Sequence, residues 1–234
     1  IYQELGGKSP NIIFADTENL EEAAKVSTMG IFRNSGEVCV AGSRLLVEDK
    51  IHNEFLKLVS EYSQKLKIGD PLEIKNDVGA INSLSQLQSD LGFVEKAKSE
   101  GGNIEIGGNR ILKSSGGFYM EPTIISSVKQ DTEIFQNEVF GPILTVTAFS
   151  NEDEAIKLAN GTDFGLASGI WTSNLSRAHK MVKKIKAGTV FVNTYGGSDN
   201  TIPLTGVKQS GNGSDKSLHA LDKFTDLKSV WMKL

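Results

Sequence analysis

Apolar runs of strand length alternate with segments of helical period along almost the whole chain, and that alternation limits the folds open to it. Residues 11–15 and 45–48 read as buried strands. Between them 20–34 reads as a helix, opened by Asn19 with Glu22 three residues on, a pair able to satisfy the free N–H groups of a first turn. The stretch 50–66 carries Ile51, Phe55, Leu58, Tyr62 and Leu66 at spacings of three and four, which is one apolar face of a second helix. A polar connector over 67–82 leads to a helix at 84–99, closed by Gly101-Gly102. Short strands and turns at 104–108 and 119–125 precede a helix at 152–160, which Asn151 and Glu154 cap and Gly161 closes. Strand 167–172 comes next, then helix 175–186 with Leu175, Ala178, Val182 and Ile185 as its buried stripe. A terminator at Gly188 and a core strand at 189–193 complete the pattern. Such β–α–β alternation favours right-handed crossovers and an α/β fold with a mainly parallel open sheet and flanking helices.

With 234 residues, 38% of them hydrophobic, the chain can bury one large core or one and a half smaller ones, which excludes disorder. A lone Cys39 excludes an internal disulfide framework and points to a reducing compartment. No apolar run approaches the roughly 20 residues of a membrane span, and no basic-then-apolar leader is evident. A net charge of −4, with no Lys/Arg cluster interleaved with aromatics, supplies no electrostatic ground for nucleic-acid binding. The expectation is a soluble, cytoplasmic protein that binds neither nucleic acid nor membrane. The chain opens Ile1-Tyr2-Gln3-Glu4-Leu5 and runs at once into Gly6-Gly7, as a strand does near its end, so an upstream portion is expected. After Asn193 the composition turns to Gly, Ser, Asn and Thr up to Thr205, a candidate substrate-side loop. The tail 226–234 reads as a terminal strand whose edge adds to a neighbouring subunit's sheet.

Three places carry residue types suited to chemistry. Cys39 lies in Gly36-Glu37-Val38-Cys39-Val40-Ala41-Gly42, between a helix and a strand. Small neighbours let a ligand approach the sulfur, and backbone N–H groups at such a turn would lower the thiol pKa; the bland alternative is a small buried hydrophobe. Glu4 stands before Leu5-Gly6-Gly7-Lys8-Ser9-Pro10, where a carboxylate beside a glycine turn can face a cleft as a general base or simply be solvated. Glu138-Val139-Phe140-Gly141-Pro142 places an acid and an aromatic before a turn, suited to ribose hydroxyls and a flat ring, or else a helix-end Glu and a core Phe. His52, His179 and His219 share no motif with Cys39. One Cys with scattered histidines makes no zinc ligand set, and the glycine pairs never form a Gly-x-Gly-x-x-Gly fingerprint.

Glu4-Leu5-Gly6-Gly7-Lys8-Ser9-Pro10, Phe32-Arg33-Asn34-Ser35-Gly36-Glu37-Val38-Cys39, Glu138-Val139-Phe140-Gly141-Pro142 and Ser210-Gly211-Asn212-Gly213 resemble, in order and spacing, the aldehyde dehydrogenase superfamily. Within it, Lys208-Gln209-Ser210-Gly211-Asn212-Gly213 with Asp215-Lys216-Ser217-Leu218-His219-Ala220-Leu221 looks most like the bacterial γ-glutamyl-γ-aminobutyraldehyde and 4-guanidinobutyraldehyde dehydrogenases. The resemblance implies the C-terminal half of such an enzyme. Residues 1–6 would end a nucleotide-binding domain, 7–213 would form the catalytic domain, and 214–234 would carry the oligomerisation strand. A Rossmann-type domain for NAD or NADP, an oxyanion-hole Asn and an oligomerisation hairpin lie, in the family, upstream of the matching stretch. Cys39 matches the family nucleophile and Glu4 the general base. Glu138 matches the residue that hydrogen-bonds the nicotinamide ribose, and Phe140 the aromatic that positions the ring. The implied reaction is oxidation of an aldehyde to the acid through a thiohemiacetal and a thioester on Cys39, in a homo-oligomer, with the isolated chain a half-site.

Five positions depart from the family pattern. Ser35 stands where Gln is usual, Leu204-Thr205-Gly206 replaces Phe-Gly-Gly, Ser214 replaces Arg, and Gly196 replaces an acid that close relatives often carry. Asp199 then remains to attract a cationic aminoaldehyde. Two other readings compete: a stand-alone thiol hydrolase or acyltransferase using Cys39 with a His or Glu4, and a non-catalytic interaction module. The Glu-x-Phe-Gly-Pro motif has no role in a hydrolase and fits a nicotinamide site.

Overall fold

Seven strands form the central sheet: β1 (Pro10–Ile13), β2 (Arg44–Glu48), β3 (Asn103–Ile106), β4 (Thr123–Ser126), β5 (Ile143–Phe149), β6 (Ala167–Trp171) and β7 (Thr189–Val192). Their order is β7-β6-β1-β2-β5-β4-β3, and every neighbouring pair is parallel except β3 with β4 at one edge. The computed structural model describes residues 1–197 and 199–234. The mainly parallel α/β sheet expected from the alternation is thus the observed one.

Among the described residues five helices of nine residues or more cover the sheet: α1 (Leu20–Phe32), α2 (His52–Gln64), α3 (Leu84–Ser99), α4 (Glu152–Asn160) and α5 (Leu175–Lys184). Successive strand residues face opposite layers, as a pleat requires. Ile12, Leu46 and Ile170 pack under α3, α4 and α5, whereas Ile13, Leu45 and Val47 pack under α1 and α2. Asn19, Ser83, Asn151 and Asn174 each accept the backbone N–H of the residue three places on, which fixes where four of these helices begin.

Some elements differ from the sequence expectation. The sequence pattern does not announce β5, because Thr145 and Thr147 interrupt its apolar run; both hydroxyls are satisfied, by Ser43 O at 3.2 Å and Val128 O at 3.0 Å. Helix α5 stops at Lys184 rather than 186, and Gly188 plays no part in ending it. The Asn160 side chain takes the Lys184 carbonyl at 2.9 Å and the Lys186 N–H at 2.8 Å, drawing the backbone out of the helix. Its buried positions are Ala178 and Met181, with Ile185 buried just past its end; Leu175 and Val182 are exposed and Met181 fills the core. Residues 225–234 form no strand within the chain, since strand hydrogen bonds need a neighbouring edge, and Leu227, Val230, Trp231 and Met232 are exposed there. The opening segment is docked: Gln3–Glu4 pairs antiparallel with Gly211–Asn212. Among the described residues no helix is long and apolar enough to cross a membrane.

Candidate active site

The chemistry-bearing segments all enter the sheet from one side. Glu4 precedes β1, Cys39 precedes β2, and Glu138-Val139-Phe140-Gly141 precedes β5, and these three strands are consecutive parallel neighbours with Pro10 opposite Arg44 and Arg44 opposite Thr145. The candidates therefore gather along the amino-terminal edge of the sheet, whereas open α/β sheets generally bind ligands at the carboxyl edge. A cleft of about 440 Å³ does lie at the carboxyl edge, lined by Glu48, Glu152, Arg177 and Lys180 among others. It is roomier than the amino-edge depression around Gly7, Gly36 and Phe140, but its charges are satisfied by one another. Glu152 pairs with Arg177 at 2.9 Å and with Lys180 at 2.7 Å, and no candidate residue lies there.

Cys39 sits in the turn that follows α1. Asn34, Ser35 and Gly36 all take positive φ, at 53°, 59° and 74°, which swings the chain back towards the sheet edge. At Gly36 a Cβ would overlap the Gly141 carbonyl, so only glycine lets this turn press against the Phe140 turn. Ser35, in place of the family's usual Gln, donates to Gly79 O at 3.0 Å. The sulfur is partly exposed and unpaired with any other cysteine. Its backbone N–H and that of Val40 favour the thiolate, in the direction expected from the sequence, yet the thiol is raised overall: burial dominates, and the charges of Glu138 and Glu4 add to it. Glu4 is exposed and held by pairing opposite Gly211. Among the described residues no histidine figures in the charges that act on Cys39.

Glu138 is no solvated helix-end acid. Its Oε1 accepts the Gly7 N–H at 2.9 Å, and a Cβ on Gly6 would overlap its Oε2. Burial raises this carboxyl, opposed by the Gly7 N–H and the Lys8 charge. Phe140 is no core residue either: it is 36% exposed and holds a left-handed φ of 60°. A carboxylate in a glycine notch beside an open aromatic ring fits a nicotinamide riboside, whose sugar offers hydroxyls and whose base offers a flat face. Asp199 stands apart, on an exposed loop, with Oδ1 taken by Thr201 N at 2.8 Å and Thr201 Oγ1 at 2.7 Å; these bonds hold its carboxyl below the usual range.

The aldehyde dehydrogenase family profile matches residues 1–230. The chain belongs to the aldehyde dehydrogenase family. It is 44% identical over 234 residues to the NADP/NAD-dependent aldehyde dehydrogenase PuuC of Escherichia coli K12, covering 100% of this chain and 46% of that protein. The crystal structure of indole-3-acetaldehyde dehydrogenase with NAD+ superposes with a TM-score of 0.97 at 48% identity, covering 100% of this chain and 47% of that one. A γ-glutamyl-γ-aminobutyraldehyde dehydrogenase from Burkholderia cenocepacia J2315 superposes at 0.94 with 46% identity, covering 97% of this chain and 46% of that one. The chain spans about half the length of the curated relatives it matches.

Two buried ionisable groups in this aldehyde dehydrogenase chain, Arg44 and Asp90, lie outside the motifs, and a third, Lys8, stands within the Glu4-to-Pro10 motif with no role read for it. Arg44 opens β2 and donates to the carbonyls of Lys8, Leu158 and Ala159 at 2.7, 2.7 and 2.8 Å, its guanidinium 4.7 Å from the Phe135 ring centre. Lys8 is buried without a protein hydrogen bond at Nζ, and burial together with Arg44 draws its amine down to about 7. Asp90 lies on the inward stripe of α3 with Leu87, Val94 and Ala97, a spacing of three, four and three that already places it inside. One oxygen accepts from Gln86 Nε2 at 2.8 Å, the other packs against Gly141, and the same amide donates to Val139 O at 2.9 Å. Burial lifts the Asp90 carboxyl to about 7.

That lift fixes a stability effect and its sign. Between about 4, where an unfolded Asp titrates, and about 7 the folded chain binds a proton that the unfolded chain has released. The Asp90 contribution to stability is therefore highest at and below pH about 4, falls as pH rises to about 7, and is level above. Asp90→Asn should unfold at higher urea than the parent at pH 8, by on the order of 3 kcal/mol, with the gap closing towards pH 4. Urea midpoints at several pH values check it; a gap that stays constant with pH would contradict the buried acid.

Proposed function

We propose that this chain is the catalytic half of an NAD(P)-dependent aldehyde dehydrogenase that oxidises an aldehyde to the carboxylic acid. The observation that carries this reading is the meeting of Cys39, Glu4 and Glu138 at one sheet edge, close enough for both carboxylates to act on the thiol. On this reading the Cys39 thiolate attacks the aldehyde carbon, forming a C–S bond and an oxyanion held by the Cys39 N–H together with an upstream Asn. When bound, the nicotinamide supplies the hydride acceptor that the oxidation requires. Glu138 would hold its ribose hydroxyls and Phe140 its ring. Glu4 then takes a proton from water, whose oxygen attacks the thioester carbon; the C–S bond breaks and the acid leaves.

Residues 1–6 would end the nucleotide-binding domain, 7–213 would form the catalytic domain, and 214–234, exposed at its apolar end, would pack in a cytoplasmic homo-oligomer. Asp199 would favour a cationic aminoaldehyde. A stand-alone thiol hydrolase is disfavoured because no histidine acts on Cys39 among the described residues. The polypeptide joined to an upstream nucleotide-binding half should form NADH in response to an aldehyde, and the chain alone should not. Glu4→Gln in the joined protein should leave a rapid first turnover of NADH followed by slow release, since acylation proceeds while deacylation stalls. Stopped-flow absorbance separates the two phases, and a steady rate equal to the parent's would remove Glu4 from deacylation.

A further inference from the structure

Tyr195 opens the exposed loop that contains Asp199, yet it is itself buried. Its ring rests in a socket made of three glycines from separate segments. A Cβ would come within 2.5 Å of the ring at Gly169 in β6, 3.0 Å at Gly30 in α1 and 3.1 Å at Gly42 just past Cys39. No residue with a side chain fits at the first of these, so the ring's place is set by shape. The phenol donates to Val40 O at 2.8 Å. Val40 follows Cys39, and its N–H is the foremost of the backbone donors that favour the Cys39 thiolate. Burial drives the phenol well above its ordinary value, so it remains a donor throughout the working range.

We infer that Tyr195 is a positioning residue for the nucleophile: its hydroxyl pins the Val40 peptide, keeps the neighbouring N–H aimed at the sulfur, and ties the Cys39 turn to the loop that bears Asp199. The inference rests on Cys39 being the nucleophile. A tyrosine kept only for packing would need the ring and not the oxygen, so the hydroxyl decides the matter.

The test uses the polypeptide joined to its upstream half. Tyr195→Phe keeps the ring and removes the donor. It should move the pH profile of Cys39 alkylation by iodoacetamide to higher pH and lower kcat by about tenfold, with KM for the coenzyme unchanged. Phe191→Leu loosens the ring's neighbour, whose centre lies 5.4 Å away, and leaves the hydroxyl in place. It should lower the melting temperature and leave the alkylation profile where it was. An unmoved profile in Tyr195→Phe, or an equal shift in Phe191→Leu, overturns the inference. Should Tyr195→Phe not fold, a shifted alkylation profile in Phe191→Leu still overturns the inference, because the hydroxyl remains in place there. If Cys39→Ala kept activity, the parent reading would fail; if Cys39→Ala were dead and Tyr195→Phe silent, only the inference would.

Discussion

Cys39→Ala, in the polypeptide joined to an upstream nucleotide-binding half, is expected to lower aldehyde oxidation by roughly four orders of magnitude or more, because removing a covalent nucleophile leaves only binding and oxyanion stabilisation. No other thiol exists in the chain to substitute for it. The sulfur lies in a turn and is partly exposed, so its removal should shift unfolding by no more than about 1 kcal/mol. Activity and stability thus separate in one variant. Mass spectrometry after mixing with aldehyde and coenzyme should find an acyl adduct in the parent at Cys39 and none in the variant. Retained turnover in the variant would end the nucleophile assignment.

Arg44→Met carries the largest expected loss of stability. Three buried carbonyls, two of them from the last turn of α4 and one from the approach to β1, lose their Arg44 donor together, and of these Leu158 O keeps the Gly161 N–H at 3.2 Å. Each orphan carbonyl costs about 1–3 kcal/mol, and release of a buried guanidinium from its desolvation offsets part of the sum. A net loss of about 3 kcal/mol is expected, measured as a fall in urea midpoint. Burial brings the guanidinium down to about 9, so it stays charged at neutral pH. Arg44→Lys should not rescue, since a single ammonium cannot span three carbonyls fixed around a planar fork. A Lys variant as stable as the parent would show that charge rather than geometry holds the three strands of backbone.

Local chemistry was legible where it was self-contained. The end of α3 and the bounds of α4 follow from Gly101-Gly102, Asn151 and Gly161, whose side chains or lack of one act within a few residues. β5 was not legible, because its two threonines are satisfied by carbonyls 19 and 102 residues away. The site divides in the same way. Cys39, Glu4, Glu138 and Phe140 stand in motifs that can be read along the chain, but their meeting depends on the order β1-β2-β5, which no local pattern encodes. The direction of the thiol shift was lost for a related reason: the N–H donors are neighbours in sequence, while the burial and the two carboxylates that outweigh them arrive from elsewhere in the fold. Asp90 and Arg44 carry ordinary signals, an acid on an inward helical stripe and a base opening a buried strand, which mean something only once the packing partner is known.

Assembly at the amino edge has a chemical consequence for the idle enzyme. In a parallel sheet the covering helices deliver their carbonyl-bearing ends to that edge, and α1 does so shortly before Cys39. A sulfur placed there has no helix N–H end beneath it, and burial with the Glu138 and Glu4 charges raises its thiol. Peroxides attack the anion, so a protonated sulfur resists sulfenic acid formation until a base draws the proton away. On the proposed role of Cys39, the burial and the two carboxylates that raise its thiol would guard it against oxidative loss between turnovers.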